Sequence, residues 1–152
     1  MTHPKEEAPH VAIACGGTGG HLFPGLAVAE QLKRRECQVS LLISFKAVDQ
    51  QAVKDVSGME IVTLPAVALQ NRNFISFLNG CVRSYRYARR FFNQCPPRAV
   101  LAMGGFTSAP PVLAARRLGA HAFLHESNTI PGRANRWLAP FVDTAFLGFP
   151  RA

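Results

Sequence analysis

Short apolar runs alternate with helical patterns along the 152-residue chain. The apolar runs predict strands near Val11–Cys15, Val39–Ser44, Glu60–Leu64, Ala99–Met103, Ala122–His125 and Thr144–Leu147. Between them, apolar positions at helical spacing predict helices near Pro24–Arg35, Val48–Val56, Phe74–Phe92, Ala109–Leu118 and Gly132–Ala139. Apolar strands alternating with helices imply a parallel sheet buried on both faces. The expected fold is therefore α/β: a Rossmann-like parallel sheet of about six strands with helices on both faces. Residues 1–9 are polar and read as a flexible tail, and residues 10–152 as one domain. The chain stops at "LGFPRA", just after a strand, which raises the expectation that a further domain follows.

Ligands of such sheets bind beyond the carboxyl ends of the strands, so the residues just after each strand carry the chemistry. After the first strand comes "GGTGGH": Gly16, Gly17, Thr18, Gly19, Gly20 and His21. Glycines let the backbone approach a ligand closely, and free amides at a helix start favour an anion, usually phosphate. A plain turn needs one or two glycines, not four. The loop lacks the G-K-[ST] of a P-loop. Leu22 stands where a dinucleotide fingerprint needs its third glycine, so both familiar nucleotide loops fit poorly. His21 can serve as a proton acceptor or as a structural cap, and Thr18 can offer its hydroxyl to the ligand or complete the turn.

"MGGFTSAPP" repeats the pattern after the fourth strand, with Gly104, Gly105 and Phe106 in the loop and Thr107 or Ser108 as a cap for the next helix. Two glycine loops on one sheet edge suggest a diphosphate or an extended phosphorylated ligand. After the fifth strand, "HESNTIPGRANRWLAP" gathers His125, Glu126 and Asn128. A carboxylate there can orient a histidine, act as a base or bind sugar hydroxyls; a capped turn is the bland alternative.

Charge adds a partner class. From Ile61 to His125 there is no Asp or Glu but there are eight arginines, while the rest of the chain holds nine Lys/Arg against nine acids. The net +8 therefore comes from one block and points to an anionic partner. Much of it lies on "NRNFISFLNGCVRSYRYARRFF", where apolar residues recur at Ile75, Leu78, Val82 and Tyr85, with Phe74, Phe77 and Cys81 beside them, so that part of this side is expected to pack on the sheet, while Arg83, Arg86 and Arg90 share another face. Aromatics flanked by arginines suit a helix dipping into an anionic bilayer; a solvated basic face is the alternative. No nucleic-acid motif accompanies the charge, so no nucleic acid is expected as partner. The four cysteines lack metal spacing and read as reduced thiols of a cytosolic protein. The polar start has no apolar region of a signal peptide, and no stretch approaches the roughly 20 apolar residues of a membrane span.

Taken in order, "GGTGGH", "MGGF" and "HESNTIPGRANRWL" resemble the MurG family, the GT-B N-acetylglucosaminyltransferases of glycosyltransferase family 28 that make lipid II from lipid I. The resemblance runs from about His10 onward and corresponds to the amino-terminal, acceptor-side half. The carboxyl-terminal donor-binding domain would be absent. Two positions depart: Ser127 stands where the family usually has Gln, and Phe106 where it often has Tyr.

The resemblance implies an inverting transfer of N-acetylglucosamine from UDP-N-acetylglucosamine to undecaprenyl-diphospho-N-acetylmuramoyl-pentapeptide (lipid I) in peptidoglycan synthesis. Gly16, Gly17, Thr18, Gly19, Gly20, Gly104, Gly105 and Phe106 would hold the acceptor diphosphate. His21, His125 and Glu126 are the candidate bases, and Thr18 and Asn128 would reach the donor sugar. Arg72, Phe74, Ile75, Phe77, Leu78, Arg83 and Arg86 would rest on the cytoplasmic face of the inner membrane, with the protein bound peripherally. No acidic pair suits Mg²⁺, and no metal or cofactor is expected. The fragment by itself is expected to be inactive. Two alternatives are a membrane-associated acceptor-binding subunit of a split glycosyltransferase, and a GT-B enzyme acting on another glycolipid.

Overall fold

The computed structural model describes residues 8–65 and 74–150. Its elements run β1 (His10–Ala14), α1 (Gly19–Arg34), β2 (Gln38–Ile43), α2 (Ala47–Ala52) and β3 (Glu60–Thr63). They continue with α3 (Phe74–Gln94), β4 (Ala99–Ala102), α4 (Ala109–Arg116), β5 (His121–Glu126), α5 (Arg133–Leu138), a 3₁₀ turn (Ala139–Phe141) and β6 (Thr144–Leu147). All six strands form one parallel sheet in the order β3-β2-β1-β4-β5-β6. The chain winds outward from β1 to β3, then restarts at β4 and winds outward to β6. β1 and β4 are thus central neighbours, in register with Ala14 opposite Ala102. This is the topological switch point, where loops diverge above the carboxyl ends and leave a crevice.

Alternate strand residues feed two cores. Ile13, Cys15, Leu41, Ile43 and Met103 pack with Leu22 and Ala29 of α1 on one face. Ala12, Leu42, Val100, Ala102 and Leu124 pack with Ala88 and Phe92 of α3, Val112 of α4 and Leu138 of α5 on the other. The helices do cover both faces.

Three expectations change. Helix α1 begins at Gly19, not near Pro24, because its first turn is built from Gly19, Gly20 and His21. Pro24 sits inside, where it has no amide to donate to the carbonyl four residues back. On α3 the stripe of Ile75, Leu78 and Val82 is exposed, while Gly80, Ser84, Ala88 and Phe92 face inward. Small residues at four-residue spacing let α3 lie close against its neighbour. Finally, Pro9 is held: its carbonyl accepts the Gln38 amide at 3.1 Å, so the tail expected over 1–9 does not include it. Arg72 and residues 1–7 lie outside the described residues.

Candidate functional site

The two glycine loops leave adjacent central strands at the same level. Their glycines have different reasons. A Cβ on Gly16 would lie 2.8 Å from Ile43 Cα, so this glycine lets the loop pass over the end of β2. Gly17 holds φ at +109°, a conformation that favours glycine. Its amide donates to Asp49 Oδ2 at 2.7 Å, which takes it out of the set of amides open to a phosphate. Asp49 is fully buried and also accepts the Ser44 amide at 3.0 Å and the Ser44 hydroxyl. Beside the loop amides of Gly16, Gly104 and Gly105, the amides without an acceptor among the described residues include those of Thr18, Gly19 and Gly20, at the start of α1. They are the orphan donors of a helix amino end, backed by its dipole. Thr18 is extended and exposed, and its carbonyl accepts the amides of His21 and Leu22, both at 3.1 Å.

Gly104 and Gly105 turn at φ +105° and +78°. A Cβ on either would crowd His21, at 2.9 Å from Cε1 for Gly104 and 3.1 Å from Cδ2 for Gly105. The second loop therefore makes a slot for the imidazole. Thr107 and Ser108 do not cap α4 with their side chains as expected. Both are buried, and their hydroxyls donate to main-chain carbonyls: Thr107 to Gly16, Ser108 to Ala14 at 3.2 Å and to Gly104 at 2.5 Å. These bonds lash the β4 loop to the β1 loop.

Lys46, singled out by no motif, is the cation beside the first loop. Its Nζ donates to the Gly17 carbonyl at 2.7 Å and lies 5.3 Å from the centre of the Phe106 ring. The one signal for it was its place just after β2, at the same sheet edge. Phe106 is half-buried, and a Cβ on Gly17 would stand 3.0 Å from its ring.

Glu126 closes β5 with its carboxylate buried. Oε1 accepts the Asn128 amide at 2.9 Å and Asn128 Nδ2 at 2.8 Å; Oε2 accepts the Gly132 amide at 2.9 Å and Asn135 Nδ2 at 2.9 Å. Burial alone pushes this carboxyl up, but the Asn128 and Gly132 amides and the two asparagine side chains outweigh it and hold the group below its ordinary value. A carboxylate so occupied anchors the 127–132 loop and has little capacity to take a substrate proton. His125 is half-buried with Nδ1 enclosed and unpartnered. His21 is half-buried in its slot, likewise with Nδ1 enclosed and unpartnered.

The described residues marked for a membrane, Phe74 to Arg86, all lie on α3. Phe74, Ile75 and Leu78 are exposed, as are Arg83 and Arg86, while Phe77 is half-buried. An apolar groove of about 650 Å³ runs between this part of α3, the start of α4 and α5, with Phe106 in its wall. Phe106 thereby joins the groove to the glycine loops. Among the described residues, no helix is long and apolar enough to cross a membrane. The cysteines are free thiols, and burial pushes Cys15 up to about 12.

Known proteins place this geometry in context. The family described as "Glycosyltransferase family 28 N-terminal domain" matches residues 11–147. A relative from Xanthomonas oryzae pv. oryzae (strain KACC10331 / KXO85) is 38% identical over 151 residues, covering 97% of this chain and 34% of the relative. One from Acidithiobacillus ferrooxidans (strain ATCC 53993 / BNL-5-31) is 38% identical over 148 residues, covering 95% of this chain and 41% of the relative. Both are named UDP-N-acetylglucosamine--N-acetylmuramyl-(pentapeptide) pyrophosphoryl-undecaprenol N-acetylglucosamine transferase. The chain thus spans between a third and about two-fifths of their length. Among solved structures, the crystal structure of Acinetobacter baumannii MurG superposes with a TM-score of 0.84 at 31% identity, covering 95% of this chain and 43% of that one.

Proposed function

Because the chain belongs to the glycosyltransferase family 28 N-terminal domain family, we propose that it is the acceptor-binding part of an inverting N-acetylglucosaminyltransferase. Its acceptor is undecaprenyl-diphospho-N-acetylmuramoyl-pentapeptide, its donor is UDP-N-acetylglucosamine and its product is lipid II. The names of the relatives motivate the substrates. The observation that carries the reading is the run of three unpaired amides, at Thr18, Gly19 and Gly20, leading directly into His21 at the start of α1, beside the β1–β4 switch point.

The amino end of α1 takes the acceptor diphosphate. Three N–H groups and the helix dipole supply the attraction, and Lys46 adds a full positive charge at the rim. Gly16, Gly17, Gly104 and Gly105 act at one remove: they fold the two loops so that the amides and the imidazole point into the same space. Phe106 passes the acceptor's lipid toward the apolar groove.

His21 is the base. Its Nε2 takes the proton from the acceptor sugar hydroxyl as that oxygen bonds the anomeric carbon of the donor. The bond from that carbon to the UDP oxygen breaks, and UDP leaves with the electron pair. A positioned base contributes about 10²–10⁴-fold, and holding both substrates together contributes much of the rest. Thr18, exposed at the helix start, and Asn128, through the carboxamide oxygen that its bond to Glu126 leaves over, face the donor sugar. The exposed face of Phe74, Ile75 and Leu78, with Arg83 and Arg86, rests on the anionic cytoplasmic face of the inner membrane. Arg72 joins the same patch in sequence.

The test is transfer from UDP-N-acetylglucosamine to a lipid I analogue by the intact enzyme and its His21→Ala variant. Loss of turnover with acceptor binding retained supports the assignment; turnover near the parent level overturns His21 as base.

A further inference from the structure

The apolar groove between α3, α4 and α5 has one charged side chain in its wall among the described residues: Arg133, the first residue of α5. Around it stand Phe77, Leu78, Phe106, Leu113 and Trp137. Arg133 is exposed and makes no ion pair among the described residues. The groove itself supplies no counter-charge, because the three helices that build it contain no Asp or Glu. The carboxylate nearest in sequence, Glu126, has both oxygens taken by Asn128, Gly132 and Asn135.

The backbone that carries Arg133 is fixed, and it borders the glycine loops. Glu126 Oε2 accepts the Gly132 amide just before it and Asn135 Nδ2 two residues after it, both at 2.9 Å. A Cβ on Gly104 would stand 2.9 Å from His21 Cε1 and 3.2 Å from Asn135 Nδ2, so the starts of α1 and α5 meet at this one residue. Phe106 belongs to both places: it lines the groove, and Lys46 Nζ lies 5.3 Å from the centre of its ring.

An amphiphile matches such a groove: an apolar chain to fill it and an anion joined to one end. A guanidinium presents its donors in a planar fork that fits phosphate oxygens. We infer that Arg133 pairs with the lipid-side phosphate of the acceptor diphosphate while the first isoprenoid units of its chain lie in the groove. The sugar-side phosphate is left to the α1 amides and Lys46. The inference rests on the acceptor proposed above and deepens that reading: Arg133 becomes the residue that selects a phosphate attached directly to an apolar chain. A bilayer phospholipid offers the same chemistry, but the groove shares Phe106 with the glycine loops, which favours the acceptor's own phosphate. Glu126 then serves recognition without touching the substrate, since it holds the turn from which Arg133 projects.

The test uses the intact enzyme, with geranyl phosphate and geraniol as competitors of a lipid I analogue. Both carry the same apolar chain, and only one carries the anion. The parent is expected to be inhibited far more strongly by geranyl phosphate. In Arg133→Leu that preference should fall about 10- to 100-fold, the worth of a charge-assisted hydrogen bond. The acceptor KM should suffer more than kcat. Arg133→Lys, which keeps the charge and loses the fork, should lie between Arg133→Leu and the parent. A preference for geranyl phosphate as large in Arg133→Leu as in the parent overturns the inference. So does a loss confined to binding of anionic vesicles, which would make the phosphate a bilayer one. Failure of the acceptor reading looks different: the parent itself would transfer nothing to the lipid I analogue. Direct binding of geranyl phosphate to the parent and to Arg133→Leu would then decide the role of Arg133 by itself.

Discussion

The main-chain N–H of Gly17 is held by the buried carboxylate of Asp49, 2.7 Å away, across the gap between the β1 loop and α2. A residue from the second strand–helix junction thus sets the shape of the first glycine loop. Asp49→Ala would leave the Gly17 and Ser44 amides unpaired in a dry site. Each such orphan costs about 1–3 kcal/mol. The expected loss is about 3 kcal/mol in urea denaturation, accompanied by a raised acceptor KM. Asp49→Asn, which keeps one acceptor oxygen, should lose less than Asp49→Ala.

That carboxylate also marks the limit of what could be read from sequence. Six parallel strands, helices on both faces and two glycine loops on one sheet edge were legible, because period and punctuation are local signals. β6 lies at Thr144–Leu147 as expected. Which glycine amides stay free was not legible, since the answer depends on Asp49, which lies 32 residues from Gly17. Gly104 and Gly105 resembled phosphate-loop glycines, but their contacts are with His21, a neighbour only in the fold. On α3, apolar periodicity picked Ile75, Leu78 and Val82, while the helix turns Gly80, Ser84 and Ala88 inward. Small residues give a weak hydrophobic signal yet permit the closest approach.

Glu126 and His21 should separate cleanly by mutation. Glu126 already accepts four hydrogen bonds and stays ionised through them. Glu126→Gln substitutes an amide for one acceptor and should lower thermal stability by about 1–3 kcal/mol, as for other disrupted buried networks. Its remaining turnover should exceed that of His21→Ala, which loses the roughly 10²–10⁴-fold of the base. Parallel melting and turnover measurements check the order; a Glu126→Gln enzyme that melts like the parent yet has less turnover than His21→Ala would reverse the roles.

Stability should fall on mild acidification because of His10. This residue, at the start of β1, is buried, and burial lowers its pKa from 6.5, partly offset by the carbonyls of Pro96 and Cys95 and by the charge of Glu60. Its Nε2 shares a 2.8 Å hydrogen bond with Ser40 Oγ. Below about pH 6.5 the unfolded chain binds a proton that the folded chain resists, so the unfolded state holds more protons and stability rises with pH. The contribution is complete above pH 6.5 and declines as pH falls below it. Melting temperature followed from pH 7.5 to 5 should drop in the parent and drop less in His10→Gln. Extending the melts below pH 4.5 should show a second decline, from the lowered carboxyl of Glu126, that persists in His10→Gln.

The two faces of α3 should answer to different assays. Ala88 is fully buried against α4 and the sheet core, and Ala88→Leu inserts three carbons where none fit. Such overpacking costs about 1–3 kcal/mol. Ile75 and Phe74 are 80% and 62% exposed, so the fold has little to lose from Phe74→Ser and Ile75→Ser together with Leu78→Ser. A large apolar side chain entering the acyl region gains about 1.5–3 kcal/mol, so removing three should weaken binding to anionic vesicles at least tenfold. Reversing Arg83 and Arg86 to Glu should weaken it as well, by about 1 kcal/mol for each charge removed, and that loss should shrink as salt rises. Vesicle sedimentation beside thermal melting separates the cases. If the triple serine variant melts with the parent but sediments with anionic vesicles equally well, the membrane does not rest on this face; if Ala88→Leu lowers vesicle binding while leaving melting untouched, the inward assignment of that face fails instead.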